Sequence, residues 1–165
     1  MSLTPTPSQT VGPFFSFGLC GRPCHELVAG GPVRIEGSVL DGAGQPVPDA
    51  MVELWQADAS GAYRPDFGWG RCGTDPEGRY EFTTVEPGSV DGQAPHVELL
   101  VFARGLLKPL LTRMYFPDEP ANAEDPVLGA LPEDDRLALV ARAEGATLQF
   151  DLRLQGEGQT PFFAL

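Results

Sequence analysis

"VRIEGSVLDGAGQPVPDAMVELWQAD", residues 33–58, decides the fold. Val33, Ile35, Gly37 and Val39 alternate with Arg34, Glu36 and Ser38, the two-residue period of a strand with one buried face. An apolar run resumes at 51–55, and the intervening "DGAGQPVPDA" is turn chemistry. The stretch reads as strand, turn, strand. Its "GAG" (42–44) falls in a hairpin turn rather than ahead of a helix, which excludes a dinucleotide-binding fingerprint.

The same pattern continues outward. "TDPEGRYEFTTVEPG" (74–88) is a turn and then a strand with Tyr80 and Phe82 on one face. "HVELLVFAR" (96–104) is almost unbroken in apolar residues after Glu98, as expected of a central strand buried on both faces. "LTRMYF" (111–116) is another strand. In "ATLQFDLRLQG" (146–156), Leu148, Phe150, Leu152 and Leu154 alternate with Gln149, Asp151, Arg153 and Gln155, the cleanest half-buried strand in the chain. One short helix is expected near 132–143. Pro132 suits its first position, Glu133, Asp134 and Asp135 its first turn, and Gly145 its end, while Leu137, Val140 and Ala141 share a face. This order predicts an all-β, antiparallel β-sandwich spanning 21–165 as a single domain.

Residues 1–20 read as an N-terminal arm. Pro5, Pro7 and Pro13 forbid a regular helix or a central strand there. Phe14, Phe15, Phe17 and Leu19 nonetheless need burial, either against the chain's own domain or on a partner chain.

A chain of 165 residues with 42% apolar content can bury a sizeable core. Its 20 Gly and 17 Pro fit many short strands joined by tight turns. A net charge of −12 speaks against nucleic-acid binding, which draws its affinity from basic patches. No run approaches the roughly 20 apolar residues of a membrane span. The segment "MSLTPTPSQTVGPFF" (1–15) lacks the basic and apolar regions of a signal peptide, so a cytoplasmic location with reduced thiols at Cys20, Cys24 and Cys72 is expected. Cys20-x3-Cys24-His25 is half a zinc pattern with no second ligand pair, and free thiols are the simpler reading.

His96 and Glu98 stand at i and i+2, so an extended chain projects both from one face. Two histidines at that spacing could share a metal ion; here the second position is a carboxylate. No G-x-S-x-G, P-loop or H-E-x-x-H motif occurs. Asp41, Asp49 and Asp58 read as solvated turn carboxylates. Arg71, Arg104 and Arg113 flank or interrupt apolar segments; Arg104, closing the most apolar strand, is the one expected to pair with something buried.

Five motifs in order carry a resemblance: "TPSQTVGPFF" (6–15), "VELWQADASGAY" (52–63), "APHVELLVFARG" (94–105), "LTRMYFPDE" (111–119) and "LQGEGQTPFF" (154–163). They resemble the α chains of the protocatechuate 3,4-dioxygenases, intradiol ring-cleaving enzymes built from paired α and β chains. The segments before "VRIEG" and around 64–69 are shorter here than is usual in that family. The resemblance implies a non-haem Fe(III) held in the partner β chain by two tyrosines and two histidines. The matching positions in this chain are Tyr63, Val90, His96 and Glu98, with Gln93 at a family arginine. Valine offers no donor to a hard ferric ion; Tyr63, His96 and Glu98 remain as three potential ligands, and the resemblance implies that the site is vestigial and that this chain binds no metal or cofactor of its own.

The resemblance further implies that this chain lends Thr10, Gly12, Pro13, Phe14 and Arg104 to a pocket at the α–β interface, and no catalytic residue of its own. The implied reaction is cleavage of protocatechuate with O2 to 3-carboxy-cis,cis-muconate, in aromatic catabolism by the β-ketoadipate pathway. Two alternatives stand beside it. One is a stand-alone, non-catalytic β-sandwich binding module, which would have no use for the arm. The other is an autonomous intradiol catechol dioxygenase with altered iron ligands, against which Val90 argues.

Overall fold

The structure is a computed structural model that describes residues 4–12, 14–21 and 24–164. Among them, β1 (Val33–Leu40) and β2 (Met51–Trp55) form as the alternation at 33–58 requires. The "GAG" turn is closed by a bridge between Leu40 and Pro46. The two strands do not pair with each other, however. Pro46 and Pro48 lack the N–H groups a continuing ladder would need, and the chain crosses from one sheet to the other.

One sheet has the order β3 (Trp69–Gly73), β2, β5 (His96–Phe102), β6 (Leu110–Tyr115), and every pair in it is antiparallel. The other has the order β4 (Arg79–Thr84), β1, β8 (Thr147–Gln149), β7 (Arg142–Glu144), with β9 (Leu152–Arg153) also on β1. There β1 runs antiparallel to β4 but parallel to β8 and β9. The sandwich is therefore antiparallel in one layer and mixed in the other. The strand expected over 146–156 is two short ones. Between them the side chain of Asp151 takes the backbone N–H of Ser38 at 2.9 Å.

The core lies between the layers. Ile35, Val39, Phe82 and Leu152 face Val52, Leu54, Val97, Leu99, Val101 and Met114, all wholly buried. Burying one such side chain contributes about 1.5–3 kcal/mol. Only one face of β5 is fully buried. On the other, His96 is buried, but Glu98, Leu100 and Phe102 keep partial exposure. The apolar run thus overstated the burial of this strand.

The late helix, α3, covers only Glu133–Ala138. Tyr115 N–H bonds to the carbonyl of Leu139, and Ala141 N–H to that of Tyr115. This pairing draws 139–141 alongside β6, and the residues after it join β7. Leu137 stays exposed as a result, whereas Leu139 is buried. A 3₁₀ turn at Pro120–Glu124 and a short helix, α2 (Pro126–Gly129), precede it. In the arm, α1 (Phe15–Leu19) is one helical turn that the proline pattern did not foresee, since it starts just beyond Pro13. No helix among the described residues is long and apolar enough to cross a membrane.

Candidate functional site

Four residues matched to a metal centre lie at one end of the outer face of the β3–β2–β5–β6 sheet. Tyr63 is positioned by a turn built on Asp58. That carboxylate accepts hydrogen bonds from Ser60 N–H (2.9 Å), Ser60 Oγ (2.5 Å) and Ala62 N–H (3.1 Å), and pairs with Arg64. The Ser60 hydroxyl, then the Ala62 N–H and Arg64, hold its pKa far below the ordinary value. Gly61 closes the turn at φ +81°, and a Cβ there would lie 2.1 Å from the Ser89 carbonyl oxygen. Asp58 is therefore a structural anchor rather than a solvated carboxylate. The Tyr63 ring stacks on Trp55, with centroids 6.1 Å apart. Burial, and then the charge of Glu98, raise the pKa of its phenol.

Val90 and Gln93 pair across a tight turn whose two central residues, Asp91 and Gly92, have φ of 48° and 78°. Two positive φ values in a row make this the turn that fits strand twist. His96 is buried against Tyr115, ring centroids 5.6 Å apart, and its Nδ1 donates to the Ala94 carbonyl oxygen at 2.7 Å. Burial lowers the His96 pKa and raises that of Tyr115 to about 12. Glu98 accepts from Arg113 Nη2 at 3.1 Å, and Arg113 Nη1 donates to Gln93 Oε1 at 2.6 Å.

These residues do not fit a ferric ion. Val90 has no donor atom, the Glu98 charge is already neutralised by Arg113, and the Tyr63 phenol is biased away from phenolate. Among the described residues, no three His, Cys, Asp or Glu side chains are placed to hold a metal. Cys20, Cys24 and Cys72 are free thiols near the edge strand β3. Cys24 Sγ is 3.5 Å from the Arg71 carbonyl oxygen, and Cys72 Sγ is 3.3 Å from that of Gly73.

Of the second group of expected residues, Thr10 and Arg104 lie at the other end of β5. Thr10 Oγ1 accepts from Gly105 N–H at 3.1 Å, bringing the arm beside the end of the strand. Gln9 and Val11 line a cleft of about 50 Å³ with Phe102, Leu106 and Leu107. Gly12 takes φ +78° with open space around it. Pro13 lies outside the described residues. Phe14 and Phe17 pack on each other but remain 75% and 77% exposed, so α1 leaves them unburied in this chain.

Arg104 pairs with Asp49 yet keeps 59% of its side chain exposed. The arginines with shielded partners are instead Arg71 (with Glu53) and Arg113 (with Glu98), each below 20% exposed. Sequence reading favoured Arg104 because it closes the apolar strand. The missing signal was register, which sets Glu53 opposite Arg71 and Glu98 opposite Arg113.

The lowered His96 pKa has a measurable consequence. Above about pH 6.5, its ordinary value, neither the folded nor the unfolded chain protonates this ring. Below it, the unfolded chain takes up the proton first, so stability falls with pH until the folded pKa is reached. Urea unfolding at pH 7.5 and 5.5 should show a larger acid loss in the wild type than in His96→Gln. Equal losses would remove His96 as the cause.

A family profile described as Dioxygenase matches residues 22–156. The chain is 38% identical to the protocatechuate 3,4-dioxygenase alpha chain of Burkholderia cepacia, over 98% of both chains. It is also 38% identical to the beta chain of the same organism's enzyme, over 86% of this chain and 69% of that one. Among solved structures, the dioxygenase domain of a dioxygenase–carbohydrate-binding protein fusion from Streptomyces sp. SirexAA-E aligns with TM-score 0.69 and 29% identity, covering 93% of this chain and 99% of that one. With the sandwich and the degenerate donor set already in place, these likenesses show that the chain belongs to the intradiol dioxygenase family, alongside the protocatechuate 3,4-dioxygenase alpha chains.

Proposed function

We propose that this chain is the non-iron-binding α subunit of a two-chain protocatechuate 3,4-dioxygenase. The observation that carries this is a Tyr63–Val90–His96–Glu98 set closed by Arg113, in a chain matching an alpha chain over 98% of its length. In the complex, both atoms of O2 enter protocatechuate, the bond between the two hydroxyl-bearing carbons breaks, and 3-carboxy-cis,cis-muconate results. The iron belongs to the β chain. This chain's own residues shape the pocket, exclude water and hold the assembly.

Several features support that role. Phe14 and Phe17 gain a burial site on a partner that their own chain does not offer. The partly exposed outer face of β5 would be covered in the same assembly. Thr10 bonds to Gly105, next to Arg104, where a strand end and an arm together can wall a pocket. Arg104, paired with Asp49 among the described residues and itself 59% exposed, can reorient toward a carboxylated substrate or an acidic partner group. The assembly is cytoplasmic.

The test is co-expression with a β chain. The two should co-purify as a stable hetero-oligomer; a monomer whose sedimentation ignores the β chain would refute the reading. Within the complex, Arg104→Ala should leave the fold intact, because an exposed ion pair contributes only about 0–1 kcal/mol. It should lower kcat/KM for protocatechuate about tenfold or more, in line with losing an interfacial charge contact. Wild-type kinetics and wild-type oligomer integrity would show Arg104 to be plain surface charge.

A further inference from the structure

We propose that Arg113 is a resident cation: its guanidinium takes the place of a metal ion among Tyr63, His96 and Glu98, and bars metal from that place. The inference concerns this chain's residues alone, so it stands or falls independently of any β subunit.

The geometry is a row across the sheet. Trp55, Glu98 and Arg113 lie directly opposite one another on β2, β5 and β6, so their side chains share the outer face. Tyr63 stacks on Trp55 at one end of the row. His96 and Tyr115, the next pair along β5 and β6, project from the same face. Arg113 is fixed on three sides: by the Glu98 carboxylate (3.1 Å), by the Gln93 amide oxygen (2.6 Å), and by the Phe163 ring, whose centroid is 6.0 Å from its guanidinium carbon. The side chain is 18% exposed. Both the Tyr63 phenol and the His96 ring lie close enough to feel its charge.

A guanidinium in such a setting does part of what a metal does. It neutralises the carboxylate and ties together the 90–93 turn, β5, β6 and the C-terminal segment. It cannot be deprotonated at any ordinary pH, so it never vacates the site by titration. An incoming cation would have to displace it from two hydrogen-bond acceptors while being repelled by its charge. Loss of ligands at 90 and 98 is then only half of what keeps metal out.

The experiment separates ligand loss from the arginine. In the isolated chain, Glu98→His places two imidazoles at i and i+2 on one strand face, a pair able to hold a divalent ion. Co2+ alone is the probe, followed by its visible d–d absorbance and by calorimetry, with thermal unfolding to confirm the fold. Glu98→His with Arg113 retained should bind Co2+ no better than the wild type. Glu98→His combined with Arg113→Met should bind one Co2+ per chain at least 100-fold more tightly. Arg113→Lys in the same background should restore the block. Met keeps the packing on Phe163; if that variant does not fold, Arg113→Gln, which can still bond to Gln93, takes its place. Equal Co2+ affinity with and without Arg113, or no uptake by a folded double variant, would overturn the proposal.

Discussion

Asp125→Ala is expected to lower the free energy of unfolding by about 3–5 kcal/mol. Asp125 is 2% exposed and its carboxylate serves four donors. Oδ1 accepts from Val127 N–H and Leu128 N–H, each at 2.8 Å, capping the start of α2, and from the Tyr115 hydroxyl at 3.3 Å. Oδ2 accepts from Ala94 N–H at 2.8 Å. Removing the carboxylate strands buried donors on three separate segments at once, and each unmade buried bond costs about 1–3 kcal/mol. Asp125→Asn should be intermediate, because it keeps one oxygen but turns an amide N–H toward one of the donors. For a chain of this size the alanine variant should melt about 6–20 °C lower. A loss below 1 kcal/mol in urea unfolding would mean that water replaces the carboxylate. The effect should also reach the candidate site, since Ala94 and Tyr115 are the two neighbours that fix the His96 ring.

Gly37→Ala should be comparably severe, at about 3–5 kcal/mol. A Cβ at this position would lie 1.8 Å from the Phe150 carbonyl oxygen and 3.0 Å from the Tyr80 hydroxyl. Those two atoms already form a buried hydrogen bond of 2.5 Å with each other. The methyl group would force the 149–151 segment away from the middle of β1, opening the parallel pairing on both sides. Gly129→Ala is the control. Nothing lies within 4 Å of its Cβ position and its backbone is helical, so that change should be neutral or stabilising by up to about 1 kcal/mol. Equal effects of the two alanines would show that close approach is not what selects glycine at 37.

Much of this was legible in the residues. The alternation in 33–40 and 79–84 correctly marked Ile35, Val39, Tyr80 and Phe82 as inward-facing, because a two-residue period is a local property of the strand. Sheet membership was not legible. Nothing local in 33–58 states that its two strands belong to opposite layers, or that 147–153 returns to lie parallel to the first. The helix near 132–143 was overextended because its apolar spacing also suits a segment held beside a strand edge, and only the bonds between Tyr115 and 139–141 decide between them. At the candidate site, the missing donor at Val90 could be read directly. The occupation of the site by Arg113 could not, because it depends on the cross-strand register of β5 and β6, which sets Arg113 opposite a Glu98 fifteen residues earlier.

The placement of β1 also orders events on the ribosome. The β3–β2–β5–β6 layer uses only residues 51–115, so it can close while the rest of the chain is still being made. The other layer cannot: Glu36 and Gln149, neighbours in the finished sheet, are 113 residues apart. At about 5–20 residues per second, that gap amounts to roughly 6–23 s of synthesis. For the later part of that time, once residues 79–84 have emerged, β1 pairs with β4 along one edge and still offers bare amides and carbonyls along the other, an invitation to wrong partners. The layer that finishes early is the one bearing the proposed β-chain contacts. In the proposed complex, subunit recognition could therefore begin on a nascent chain, with the partner acting as a guard while the last strands arrive.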